Sequence, residues 1–206
     1  MPFALPKIYP ITDVSISKLS HAEQIRRLIE GGAGVIQLRE KTASLREFYE
    51  FASEALALAA EKNVRIIIND RADIAFALKA GGVHLGQDDL PPRAARELLG
   101  KNAIIGFSTH SVEQAVEAAG LPVNYIAVGP VFATQTKQNP EPSIGLEGVE
   151  TVRRAIGNFP LVAIGGITLE NAENVFRAGA DSVAVIGDLL FEPDKITEKI
   201  RRFLRL

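Results

Sequence analysis

Eight short β-rich runs, each followed by an amphipathic helical stretch, predict a (β/α)8 TIM barrel. It is expected to span residues 1–206 as a single domain. Three observations carry that expectation. The runs are rich in Ile, Val, Leu and Ala, and the segments between them repeat apolar residues at spacings of three and four. Single strands alternating with helices require parallel pairing through right-handed crossovers. The pattern then continues without a switch through all eight units, which favours closure over an open sheet.

The expected strands, in order, are IYPIT (8–12), VIQLRE (35–40), RIIIND (65–70), GVHLGQ (82–87), AIIGFST (103–109), YIAVGP (125–130), LVAIGG (161–166) and SVAVIG (182–187). Among the helical segments, 45–62 and 111–119 show the amphipathic spacing clearly. The final KITEKIRRFLRL sets Ile196, Ile200, Phe203 and Leu204 beside a basic stripe and reads as a closing helix. One connection breaks the rhythm: VFATQTKQNPEPSIG, residues 131–145, a loop of a length that is usually functional or disordered. Two threonines and a lysine at its start suit phosphate oxygens, so it reads as a lid over the site.

Composition narrows the function. A hydrophobic content of 47% with 23% charged residues fits a soluble globule with a large core, and a net charge of −2 argues against generic nucleic-acid binding. No apolar run reaches the length of a membrane span, and MPFALPKIYP does not read as a secretory signal, so a cytoplasmic protein is expected. Without cysteine, thiolate catalysis, disulfides and thiolate metal sites are excluded. The chain leaves room for a homo-oligomer.

In such barrels the active site lies at the C-terminal ends of the strands. Polar residues and glycines gather there: Thr12-Asp13, 37–41, Asn69-Asp70, 86–89, 108–110, Gly129-Pro130, Gly165-Gly166 and Ile186-Gly187. Strand alternation puts Gln37, Arg39 and Lys41 on one face. Cations there need anions, either a phosphorylated ligand or an internal salt bridge to Glu40 or Asp70. Carboxylates closing adjacent strands about 4.8 Å apart can share a divalent ion, and hard oxygen donors suit Mg²⁺. Alternation alone would turn Asn69 and Asp70 to opposite faces, and Asp88 and Asp89 likewise. Spacing leaves the choice between Asp88 and Asp89 open. The glycines ending strands seven and eight suit a backbone phosphate cradle. His84 reads as a hydrogen-bonded core residue, His110 equally as an acid–base group or a structural one, and His21 as surface. Two anion sites, one with a metal, describe an enzyme that joins or separates two phosphorylated molecules.

The ordered set QLREK, INDRADIA, GVHLGQDDL, IGFSTHS, GPVFATQTK and AIGGI resembles the thiamine-phosphate synthase family over nearly the whole chain. The resemblance implies a transferase joining 4-amino-2-methyl-5-pyrimidinylmethyl diphosphate to a thiazole phosphate or its carboxylated form. It implies that Gln37, Leu38, Arg39, Glu40, Lys41, Asn69, Ser108 and Lys137 bind the pyrimidine diphosphate, with Arg39, Lys41 and Lys137 acting catalytically. Asp70 and Asp89 would hold Mg²⁺. Thr134, Gln135 and Thr136 would face the thiazole phosphate, with Gly166, Ile186 and Gly187 cradling its phosphate. The family commonly has serine where Gly187 stands, so a hydroxyl contact is lost here while backbone donation survives. Two other readings fit a barrel of this kind. A thiazole tautomerase would not need Gln37, Lys41, Asn69, Asp70 and Asp89 together, and a non-catalytic phosphate-binding regulator would not need charged residues at five strand ends.

Overall fold

Eight parallel strands close on themselves in sequence order, β1 pairing with both β2 and β8 in a computed structural model. It describes residues 4–134, 136 and 142–206. The first half runs β1 (Ile8–Thr12), α1 (Val14–Ser17), α2 (His21–Gly31), β2 (Val35–Leu38), α3 (Leu45–Ala60), β3 (Arg65–Asn69), α4 (Ala72–Ala77) and β4 (Gly82–Leu85). The second half continues α5 (Pro92–Leu99), β5 (Ile104–Thr109), α6 (Val112–Ala119), β6 (Tyr125–Val128) and α7 (Gly145–Ile156). It closes with β7 (Leu161–Ile164), α8 (Ala172–Arg177), β8 (Ser182–Val185), α9 (Gly187–Leu190) and α10 (Ile196–Phe203). No described helix is long and apolar enough to cross a membrane.

All eight expected strands form, and six of the eight stop short of the C-terminal limit read from sequence. The barrel rim explains the difference. Polar and glycine residues there turn out of the ladder, and Asp70, Gly165 and Gly166 take left-handed φ values of 63°, 103° and 62°. Side-chain caps start α1, α2, α3 and α6. Ser44 and Glu47 form a reciprocal capping box before α3, and the Ser111 hydroxyl accepts the Gln114 N–H before α6.

Alternation along the strands builds two cores. Tyr9, Ile11, Val35, Ile67, Ile104, Tyr125, Ala127, Val162 and Ala184 fill the barrel interior. Ile36, Leu38, Ile66, Ile68, Val83 and Leu85 face outward into a second layer shared with the helices. On the closing helix, Ile196, Ile200 and Phe203 are buried as expected. Leu204 corrects the reading: it caps α10 and is 42% exposed, because the helix ends before that turn can reach the barrel.

Candidate active site

A cavity of about 1170 Å³ opens at the C-terminal ends of the strands. That lies just above the roughly 300–1,000 Å³ of an ordinary ligand pocket. Its charged half is built by the ends of β1 to β4. Gln37 is buried in the interior, its amide donating to the Tyr9 hydroxyl at 3.3 Å. Strand β2 ends at Leu38, so Arg39 and Lys41 lie beyond the ladder, not along it. The Leu38 side chain packs in the outer layer, because alternation turns it away from the cavity.

Each cation meets a carboxylate. Arg39 pairs with Asp13, whose other oxygen accepts the Ser15 N–H at 2.9 Å and the Ser15 hydroxyl at 2.5 Å. Lys41 pairs with Asp70. Strand parity places Asp13 on the face of Tyr9 and Ile11, a signal in the sequence for its place beside Arg39.

The left-handed turn at Asp70 resolves the alternation problem. With its N–H on the His84 carbonyl at 2.8 Å, both Asn69 and Asp70 line the cavity. Asp89 is half-buried and accepts the Gly86 N–H at 2.6 Å, while Asp88 is exposed. Burial raises the Asp89 pKa. The Gly86 N–H opposes that rise, the Asp70 charge adds to it, and Lys41 relieves part of it. Two carboxylates that disfavour each other's charge, with oxygen donors and an open cavity beside them, fit a divalent cation. Among the described residues no cluster of three or more acidic, His or Cys side chains forms, so Asp70 and Asp89 would be the ion's side-chain ligands.

A neutral polar floor crosses the barrel beneath. The hydroxyls of Tyr9 and Tyr125 meet at 2.9 Å, His84 Nδ1 lies 3.0 Å from the Tyr125 hydroxyl, and His84 Nε2 lies 2.9 Å from Ser108 Oγ. The His84 and Tyr125 rings stack at 5.5 Å. Gly106 makes this possible, since a Cβ there would sit 2.1 Å from Tyr125 and 2.5 Å from His84. Burial pushes His84 down to about 4 and raises both tyrosines, so all three are uncharged near neutrality. His84 is thus the hydrogen-bonded core residue expected, and it also lines the cavity. Tyr9 and Tyr125 were not foreseen in the site. Counting back by twos from Asp13 and Gly129 is the signal that finds them.

Asn69 Nδ2 is buried without a hydrogen-bond partner among the described residues. Leaving such a donor unmade costs about 1–3 kcal/mol. Asn69 lines the cavity. The other such atom, the Ser182 hydroxyl, lies at the opposite end of its strand.

The second half of the mouth is made by the ends of β6 to β8 and their loops. Thr134 and Thr136 line it with their hydroxyls 2.9 Å apart. The Val131 and Phe132 N–H groups donate to Ile164 and Gly165, pinning the start of the 131–145 connection to β7. Gln135 and Lys137, and with them much of the expected lid, lie outside the described residues. Gly166, Ile186 and Gly187 border the same cavity. At Gly166 a Cβ would come within 2.5 Å of the Ala133 carbonyl. His110 donates from Nδ1 to the Gly129 carbonyl at 2.6 Å.

Two expectations near β2 change. His21 is buried, not surface: as the first residue of α2 it faces the end of β1, with Nδ1 2.9 Å from Thr12 Oγ1 and Nε2 3.2 Å from Glu40. The Glu40 carboxylate is turned onto its own loop, where one oxygen accepts from three backbone N–H groups.

Residues 8–189 match the family described as thiamine monophosphate synthase. The chain is 45% identical over 196 residues to a thiamine-phosphate synthase of Koribacter versatilis, covering 92% of this chain and 91% of that one. It is 46% identical over 188 residues to one of Syntrophomonas wolfei, covering 91% and 90%. The solved thiamine phosphate pyrophosphorylase of Pyrococcus furiosus superposes with a TM-score of 0.85 at 37% identity, covering 97% of this chain and 94% of the other.

Proposed function

The chain belongs to the thiamine monophosphate synthase family, and from that premise we propose that its mouth joins 4-amino-2-methyl-5-pyrimidinylmethyl diphosphate to a thiazole phosphate, plain or carboxylated. The products are thiamine monophosphate and diphosphate. As a member of that family the protein is an enzyme, a transferase of thiamine biosynthesis.

The observation that carries the finer reading is the division of one cavity into a charged half and a backbone half. The diphosphate end of the pyrimidine lies against Arg39 and Lys41. The carbon–oxygen bond breaks with its electron pair going to the leaving oxygen, and these cations meet the charge that develops. Asp70 and Asp89 would hold Mg²⁺, which supplies further neutralisation of the leaving diphosphate. The aminopyrimidine stabilises the methylene cation left behind, over a floor that carries no formal charge. Asn69 and Gln37 offer amide donors to the ring or its diphosphate. The thiazole nitrogen then attacks with its lone pair, its phosphate held by the Gly166 and Gly187 loops beside Thr134 and Thr136. No protein nucleophile is required.

The test is to incubate both substrates with and without Mg²⁺ and measure both products. Formation of thiamine monophosphate and diphosphate in equal amounts, abolished by a chelator, is the expected result. Aromatisation of the thiazole without condensation would defeat the reading.

A further inference from the structure

Behind the two cations a hydrogen-bond chain runs from the end of β1 to the loop after β2. The Arg39 N–H donates to Thr12 Oγ1 at 3.3 Å, Thr12 Oγ1 lies 2.9 Å from His21 Nδ1, and His21 Nε2 lies 3.2 Å from Glu40 Oε2. The other oxygen, Glu40 Oε1, accepts the N–H groups of Lys41, Thr42 and Ala43 at 2.8, 2.7 and 3.2 Å. It also accepts the Thr42 hydroxyl at 2.9 Å.

The donors and acceptors match in one direction only. A carboxylate accepts, so His21 Nε2 carries the ring proton. Nδ1 of the neutral ring then accepts from the Thr12 hydroxyl, whose lone pair takes the Arg39 N–H. Charge states agree with this order. Burial opposes ionisation of Glu40, but the N–H groups of Thr42 and Ala43, the Thr42 hydroxyl and His21 outweigh it and hold its pKa near 2. Burial lowers the pKa of His21 against the pull of Glu40 and Asp13, so the ring is neutral.

The chain spans the stretch where support is missing. Residues 39–43 follow the end of β2 and have no ladder partner, yet they carry both cations. We infer that Thr12, His21 and Glu40 form a bracket that fixes the Arg39–Lys41 backbone, making Glu40 and His21 positioning residues for diphosphate departure, not ligands. The Glu40 side chain is 8% exposed, so its charge is spent on the loop instead of repelling a phosphate. The inference rests on reading that step as the diphosphate grip.

Three variants test it: Glu40→Ala, Glu40→Gln and Thr12→Val, with inorganic diphosphate plus Mg²⁺ as the calorimetric probe and steady-state kinetics on both substrates. Glu40→Ala is expected to weaken diphosphate binding and lower kcat by about tenfold or more, because preorganised charge is lost. The KM for thiazole phosphate should stay within about twofold, since that site lies on other strands. Glu40→Gln should recover much of the loss, its amide oxygen still accepting from the loop. Thr12→Val should weaken diphosphate binding about threefold in the same direction, and it carries the test if Glu40→Ala does not fold. Parent-like diphosphate binding in Glu40→Ala, or in Thr12→Val where Glu40→Ala does not fold, would overturn the bracket. So would tighter binding in both Glu40 variants, or an equal loss of both substrates. A parent that forms no product defeats the functional reading alone, because the titration still reports on the bracket.

Discussion

The two halves of the mouth reach the same end by different means. At the ends of β1 to β4 the proposed anion site is made of side chains locked to one another: Arg39 to Asp13, Lys41 to Asp70, Glu40 to its own loop. At the ends of β6 to β8 it is made of backbone and of room, as at Gly166, where no side chain fits. The first half is therefore sensitive to charge and tolerant of shape, and the second is the reverse. Such a division suits a reaction in which one substrate loses its diphosphate while the other keeps its phosphate.

Four experiments can break or sharpen that contrast. The largest effect is expected from Arg39→Met combined with Lys41→Met, which keeps length and removes charge. Product formation should fall by about 10³-fold or more, at roughly 10²–10³ per lost contact. Titration of thiazole phosphate should be unchanged within about twofold. An undiminished product yield would end the assignment of these cations. Next, Asp89→Ala should lower Mg²⁺-supported activity about 10²-fold while melting stays near that of the parent, and the exposed Asp88→Ala should cost less than about twofold. Comparable losses in both variants would refute the metal assignment.

A smaller effect should follow from Gly166→Ala, since a Cβ at φ 62° costs about 1–2 kcal/mol before its clash with the Ala133 carbonyl. The KM for thiazole phosphate should rise about tenfold, and inorganic diphosphate binding should not change. If the two ligands weaken together, the halves are not independent. The smallest effect concerns the floor. Unfolded His84 takes a proton near 6.5 and the folded ring only near 4. The unfolded state therefore gains protons first, and stability is lost as pH falls from 6.5 towards 4. Between pH 7 and 6 the loss from this group is about 0.7 kcal/mol, roughly 2 °C of melting temperature. His84→Gln should flatten that part of the Tm–pH curve, and an identical slope in parent and variant would contradict the buried neutral ring.

What the sequence determined by itself is local in origin. Strand alternation and helical spacing repeat every two to four residues, so eight strands in order, the polar mouth and the glycines of β7 and β8 were all legible before any contact was known. The rim was less so: strands were read too long at six of their eight C-terminal ends because the pattern of side chains runs on where the backbone has left the ladder, as at Arg39, Asp70 and Gly165. Only the tertiary structure decided the partners. Tyr9 and Tyr125 meet across 116 residues of chain, Arg39 finds Asp13 from a neighbouring strand, and His21 turns inward to Glu40 instead of outward to solvent. Asp89, not Asp88, stands against Asp70 because the chain turns through Gln87 and Asp88, bringing Asp89 back onto the Gly86 N–H. Each of these depends on which strand end closure brings opposite which, and on where burial removes water from a polar group. Neither quantity is carried by the spacing of residues along one strand.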